Sequence, residues 1–404
     1  MSIIHDLWRL IPHRFRRSVF ERAVLTTAPA ASPIKVRPGP ETQIIVAGVL
    51  QAPTGLGEAA RGMVQALLAE RRDVRIVDLT EAFRQEAVVP LPDLPKPRPG
   101  PGILIVFANP PMSSYALHAI GRPLADGKLK VGSWVWEYAR VPERWGQHTQ
   151  QYHVLATPTR LVDRAIMATT GIKSARLPYH VAPRMTAPEH PRRLDQLRIG
   201  FIGDILAAAG RKNPIAVVEA VGRAFAGRDD IVLDLIMRGA RPGHPLIGVL
   251  EARARDFGLA VTVDSRLLDT DQHWARLRSL DVFCSLHRAE GFGLNIAEAM
   301  AAGLPVVATQ CPAVGDYLDA AVGCPVPWSA VPAEPLLDDP NPGVWAEPDI
   351  DAAAAALKAI DADRAAAQAL GAKAAQRIDS LYSARAITAA LDTLVEGYFA
   401  APPR

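Results

Sequence analysis

Short apolar strands alternate with helical stretches along this chain in two successive series, and that alternation leaves few architectures open. From residue 43 onward QIIVAGVL, VRIVDL, GILIVFA, KLKVGSWVW, HVLAT and SARLPY read as strands. Runs of Val, Ile and Leu without polar alternation suit parallel strands covered on both faces. Between them lie the Gly-rich turn QAPTGLGEAAR with a helix running to about Glu70, then the helical stretches SYALHAIG and TRLVDRAIMATTG. The polar stretch APRMTAPEHPRRLDQ over 182–196 reads as an interdomain linker.

A second series follows. LRIGFIG, IVLDLIM, AVTV, DVFCSL and PVVAT are strands, with helices near PLIGVLEARARDF, DTDQHWARLRSL and LNIAEAMAAG. NPIAVVEAVGRAFAG is a helix with Asn213 as N-cap, Pro214 in its first position and Gly227 at its end. PLPDLPKPRPGPG holds six prolines and residues 325–348 hold seven, so both read as irregular connectors. The chain turns Ala-rich and helical from about Ile350. The fold class is therefore α/β, with two Rossmann-like, doubly wound parallel-sheet domains facing a cleft. We place the boundaries at 1–42 for a basic amphipathic segment and linker, 43–185 for the first domain and 186–383 for the second. Residues 384–404 form a helix that completes the first domain. Ligands are expected at the carboxyl ends of the strands, in the cleft.

Charge locates itself at one end. Residues 1–22 carry Arg9, Arg14, Arg16, Arg17 and Arg22 against Asp6 and Glu21. Without them, the 45 basic and 42 acidic residues reduce to 40 of each. A neutral body argues against a nucleic-acid partner. The basic segment has Ile3, Ile4, Leu7, Leu10 and Ile11 at helical spacing, and Pro12 can open a second helix. Residues 1–25 read either as a helix lying on an anionic membrane or as one packed on the protein body. Cys284, Cys311 and Cys324 form no C-x-x-C pair, which fits a reducing compartment. No apolar run reaches the ~20 residues a spanning helix needs. The expected location is cytoplasmic, or peripheral on the inner face of the membrane.

The stretch HRAEGFGLNIAEAMAAGLPVVAT from His287 carries the most specific chemistry. Glu290 and Glu298 bracket Gly291-Phe292-Gly293, and a helix follows from about Leu294 and Asn295. Glycines admit close backbone approach, and a helix start offers free N–H groups to a diphosphate. Glu290 can accept from sugar hydroxyls, and Glu298, one turn into the helix, from a ribose diol. Arg211 and Lys212 stand just before a helix start, where an anion is also favoured.

This block resembles the retaining GT-B glycosyltransferases of the family 4 type (glycosyl transferases group 1), whose signature is E-x₇-E followed by a G-x-P-V-V strand. Phe201-Ile202-Gly203-Asp204 and Arg211-Lys212-Asn213-Pro214 are similar to the first strand and helix start of that family's donor domain, where the Arg and Lys hold the diphosphate. Trp345-Ala346-Glu347-Pro348-Asp349 resembles a late structural landmark. Gly55-Leu56-Gly57-Glu58-Ala59-Ala60-Arg61 resembles the family's Gly-rich loop at the donor phosphate and acceptor. Trp134-Val135-Trp136-Glu137-Tyr138 resembles a W-x-W-E element that lines the acceptor cleft, although buried structural tryptophans read equally well. Many relatives have His-Glu-Pro where this chain has Ala108-Asn109-Pro110. His118 lies nearby but inside a helical stretch.

The resemblance implies transfer of a sugar from a UDP-, GDP- or ADP-sugar to an acceptor hydroxyl with retention, in polysaccharide or glycolipid synthesis. Glu290, Lys212 and Arg211 are the expected catalytic residues. Gly203, Gly291, Phe292, Gly293, Leu294, Asn295, Glu298, Gly55 and Gly57 would bind the donor. Arg61, Asn109, Trp136 and Glu137 would line the acceptor cleft, for a glycan or lipid-linked acceptor. No cofactor and no metal are implied. Base and sugar choice would fall to loops near 237–240 and 264–268. An NAD-type oxidoreductase is one rival, with Asp78 near the ribose position but an incomplete G-x-G-x-x-G. A non-catalytic GT-B module binding glycans or partners is the other.

Overall fold

The computed structural model describes residues 13–400 except 40, 192, 241–242 and 337–341. Six strands form the first sheet: β1 (Ile44–Gly48), β2 (Val74–Asp78), β3 (Gly102–Phe107), β4 (Lys128–Ser133), β5 (Val154–Thr157) and β6 (Ala175–Arg176). Their order is β2-β1-β3-β4-β5-β6, and every pairing is parallel. All residues of β1, β3 and β4 are buried, as expected for strands covered on both faces. The second sheet holds β7 (Leu197–Asp204), β8 (Ile231–Arg238), β9 (Ala260–Asp264), β10 (Val282–Ser285), β11 (Val306–Thr309) and β12 (Cys324–Val326). It too is parallel, in the order β12-β11-β10-β7-β8-β9. In each sheet the strand order reverses beside the first strand, which opens a crevice between β1 and β3 and another between β7 and β10. This is the two-domain GT-B architecture.

Capping starts the helices where the sequence supplies an oxygen. Thr54 accepts from Gly57 N, Thr159 from Val162 N, and Asp349 from Ala352 N. Gly55 and Gly57 consequently lie in the first turn of the helix Gly55–Ala69, not in a turn before it. Asn213 departs from the expected side-chain cap. It sits at the N-cap of the helix Pro214–Phe225 in the left-handed region, φ 52°, with no side-chain cap bond. Its amide instead donates to Leu286 O at 3.1 Å, tying the end of β10 to this helix. Residues 205–212 form a further short helix, which places Arg211 and Lys212 in its last turn.

The Pro-containing stretch 325–348 is more regular than expected. It contains β12 and an antiparallel hairpin, β13 (Trp328–Pro332) with β14 (Val344–Pro348). An isolated two-stranded pair tolerates Pro because its outer edges have no ladder partner to lose.

The last helix, Ala384–Ala400, returns to the first domain. Ile387, Leu391, Leu394 and Val395 share a core with Met63 and Leu67, and Arg72 Nη1 meets Asp392 Oδ1 at 3.0 Å. The rings of Tyr179, Phe292 and Tyr382 bridge the two domains with centroids 5.0–5.1 Å apart. Thr159 Oγ1 donates to Gly291 O at 2.8 Å, and Arg160 and Arg176 of the first domain both reach Asp316 of the second.

For the basic segment, residues 1–12 lie outside the described residues. The helix His13–Thr27 packs on the body through Phe20, whose ring lies 5.5 Å from Tyr115, and through buried Val24. Among the described residues no helix is long and apolar enough to cross a membrane.

Candidate active site

Both crevices open onto one cavity of about 530 Å³ between the domains. Gly55, Arg61, Asn109 and Glu137 line it from the first domain. Arg211, Lys212, Glu290, Gly291, Phe292, Gly293, Leu294, Asn295 and Glu298 line it from the second. The two segments that carry the second domain's charges leave β7 and β10, the strands flanking its crevice.

Glu290 is the centre of a buried charge cluster. Lys212 Nζ donates to its Oε1, and Arg211 Nη1 lies 3.6 Å from Oε2. Burial by itself raises the Glu290 carboxyl, yet the two cations outweigh it and hold the group down at about 2. Burial opposes the Arg211 cation, and Glu137 and Glu290 more than offset that, holding it above its ordinary value. Burial pulls the Lys212 ammonium down against the pull of Glu290. The cluster is thus an ionised carboxylate between two cations. Arg211 also donates to Ala289 O at 2.8 Å and meets Glu137 Oε1 at 3.3 Å, across the domain boundary.

The helix Leu294–Ala301 points its start into the same space. Gly293 caps it at φ 84°, and a Cβ there would press on the Tyr317 hydroxyl at 2.5 Å. Ile296 and Ala297 N–H close onto Gly293 O, which leaves Leu294 and Asn295 N–H at the open end. Asn295 donates to Ile202 O at 3.0 Å and accepts from Arg238 Nη2 at 3.2 Å. Glu298, buried in the second turn, accepts from His273 Nε2 at 2.8 Å. Among the described residues, no group of three or more His, Cys, Asp or Glu is placed to hold a metal ion.

Three expected site residues do not line the cavity. Gly203 is the penultimate residue of β7, and its missing Cβ leaves room for the Phe201 ring, 2.6 Å from where that atom would sit. Gly57 lets its helix approach the preceding loop, where a Cβ would run into Ala52 O and stand 2.7 Å from Val49 O. Trp136 packs its ring 5.0 Å from Trp145, and its indole N–H donates to Arg140 O at 2.7 Å. An aromatic with a polar tip that finds a backbone carbonyl stays in the wall.

Two residues that do line the cavity work differently from expectation. Arg61 donates to Leu50 O and Ala52 O at 2.7 and 2.8 Å and to Glu58, so it fastens the loop before its own helix. Asn109 donates to Val135 O at 2.8 Å and accepts from Val135 N at 3.0 Å. It is a bracket joining β3 to the segment that bears Glu137. His118, on the helix Met112–Ile120, is exposed, stacks on Tyr115 and stays out of the cavity.

Sequence reasoning also missed a support behind the cluster. Arg288 donates to Gly210 O at 2.9 Å, its N–H donates to Arg211 O at 2.8 Å, and Glu347 clamps its guanidinium. The Trp345 ring lies 5.4 Å from the same guanidinium. The Trp-Ala-Glu-Pro stretch therefore pins the Glu290 loop to the helix end carrying Arg211. Arg238, the last residue of β8, and His273 also line the cavity, and Arg238 falls within 237–240, one of the two stretches expected to choose base and sugar.

Residues 196–363 match the family model of glycosyl transferases group 1. That span contains Arg211, Lys212, Glu290 and Glu298. No curated protein matches the chain. Among solved structures, HepE of Anabaena in complex with UDP and glucose superposes with a TM-score of 0.61 at 12% identity, covering 88% of this chain and 100% of that one. Sucrose-phosphate synthase of Thermosynechococcus elongatus gives 0.60 at 16% identity, with 90% and 100% covered. A point mutant of S. aureus TarM, crystallised with UDP, alpha-GlcNAc-glycerol and Fondaparinux, gives 0.54 at 14% identity. That match covers 73% of this chain, which spans 55% of the TarM structure's length. At these identities the likeness is one of fold.

Proposed function

We propose that this protein is a glycosyltransferase that moves a sugar from a nucleoside diphosphate donor to an acceptor hydroxyl with retention of anomeric configuration. The observation that carries the reading is the buried Arg211–Glu290–Lys212 cluster beside the open start of the helix Leu294–Ala301. Two cations and a helix N-terminus in one cavity suit a diphosphate. A carboxylate held ionised between them can accept from the donor sugar's hydroxyls.

In this reading the bond between the anomeric carbon and the phosphate oxygen breaks while the acceptor oxygen bonds to the same face. The departing phosphate takes the acceptor proton. Arg211, Lys212 and the N–H groups of Leu294 and Asn295 stabilise the charge that develops on the diphosphate. Glu290 orients the sugar, and Glu298 receives the ribose. Asn109 has both amide ends on Val135, so it holds the Glu137 segment in place and takes no part at the anomeric centre.

Asp78 supports this reading over a dinucleotide oxidoreductase. Its Oδ1 accepts from the Thr80 hydroxyl at 2.6 Å and from Thr80 N–H at 3.3 Å, which ties it into its own turn. A glycan or lipid-linked acceptor, and residues 1–25 docking on an anionic inner membrane face, complete the proposal. Liposome binding that survives deletion of residues 1–25 would refute the membrane part. The donor part is tested by thermal shift: protection by a UDP-, GDP- or ADP-sugar is expected, and protection by NADH alone would overturn it.

A further inference from the structure

His273 and Glu298 form a buried pair that the transfer reaction does not itself require. The bond joins the helix Thr270–Arg278 to the helix Leu294–Ala301, and both residues line the cavity. Their side chains are only 8% and 6% exposed. An ionised carboxylate oxygen can only accept, so Nε2 carries the proton and donates to Glu298 Oε2. The other ring nitrogen, Nδ1, is buried with no partner among the described residues. Buried polar atoms are as a rule paired. This ring is held on its carboxylate side alone.

The mount beneath His273 is stiff. Asp269 accepts from Gln272 N at 2.8 Å while Gln272 Oε1 accepts from Asp269 N at 3.0 Å, a reciprocal cap on the first turn. His273 N donates to Asp269 O at 2.9 Å in that same turn. A glutamate free to rotate loses side-chain entropy whenever a ligand orders it. With Oε2 fixed by a ring on a capped helix, the carboxylate plane is set before anything binds.

We propose that His273 is a positioning residue that fixes Glu298 and thereby makes the site select a ribonucleotide over its deoxy form. This rests on the reading in which Glu298 receives the ribose diol. A fixed carboxylate in a buried site rejects a ligand lacking one hydroxyl, because an oxygen is then left unpaired. A carboxylate free to turn finds another partner, and the penalty disappears.

The test uses whichever of UDP, GDP and ADP binds the full-length protein most tightly, together with its 2′-deoxy and 3′-deoxy forms, by calorimetry. The wild-type protein is expected to bind at least one deoxy form about 10–100-fold more weakly, the cost of one buried acceptor left unpaired. His273→Ala brings that ratio to within about threefold, and His273→Gln, which keeps an N–H donor, restores most of it. Should the alanine variant fail to fold, His273→Phe fills the space without a donor and carries the same comparison. A folded His273→Ala or His273→Phe protein with the wild-type ratio overturns the proposal. A wild-type protein with no preference for ribose overturns the ribose reading of Glu298 itself, a separate and distinguishable result.

Discussion

Replacing Lys212 by Met keeps much of the side chain's volume and removes its charge, which separates what the Glu290 cluster does for stability from what it does for transfer. Arg211, 3.6 Å from Glu290, remains as a partner. At an effective dielectric constant of 20 that contact supplies about 4–5 kcal/mol of gross attraction. Breaking a buried pair by removing one partner costs ~3–5 kcal/mol, and the surviving arginine puts Lys212→Met at the lower end, ~3 kcal/mol. If the ammonium also stabilises the departing diphosphate, turnover falls by about 10²–10³ as well. The double variant Lys212→Met/Glu290→Gln removes the uncompensated charge, so stability recovers most of the loss while turnover does not. Denaturant unfolding and initial-rate transfer on the same preparations give both numbers. A folded Lys212→Met protein with wild-type turnover would refute the phosphate role. Stability losses that simply add in the double variant would refute the coupling.

The acid limb of stability should report the same cluster. Glu290 is held at about 2 against an ordinary 4.5, so its contribution is complete above about 4.5 and is lost as pH falls towards 2. Glu290→Gln should flatten that part of a stability-versus-pH curve, by ~3 kcal/mol between neutral pH and pH 2; an unchanged acid limb would contradict it. Gly291→Ala would place a Cβ 2.5 Å from Val135 Cγ2 and 2.9 Å from Trp136 O, across the domain boundary. It should cost about 1–3 kcal/mol of stability and slow transfer, checked by thermal unfolding and rate on one sample. Asn109→Ala removes both bonds to the Val135 backbone. A loss of ~2–4 kcal/mol in denaturant unfolding is expected, with a drop in turnover from the displaced Glu137 segment.

The two-sheet architecture was legible because parallel strands covered on both faces show as continuous apolar runs, and each run is local in sequence. The second domain's wall of the cavity was legible for the same reason: Glu290, the glycines and Glu298 lie within nine residues, and Arg211 and Lys212 are adjacent. What escaped depends on residues far apart along the chain, which no period or spacing marks. Asn109 finds Val135 across 26 positions, His273 finds Glu298 across 25, and Arg288 finds Glu347 across 59. Arg61 and Trp136 were legible as residues near the cleft but not in orientation. Each is drawn to backbone carbonyls close by in the chain, an option sequence does not display. The hairpin in 325–348 was hidden by its prolines, which disfavour a central strand but not an isolated pair.

The central claim is tested most directly by proton NMR of the purified protein with UDP-, GDP- and ADP-sugars, following release of free nucleoside diphosphate and the configuration of the sugar set free or transferred. One of these donors is expected to be cleaved, with the sugar first appearing in the donor's own anomeric configuration and Lys212→Met abolishing the signal. Cleavage with inverted configuration would contradict retention. Equal cleavage by folded Lys212→Met, or no binding and no cleavage of any of the three donors, would contradict the site.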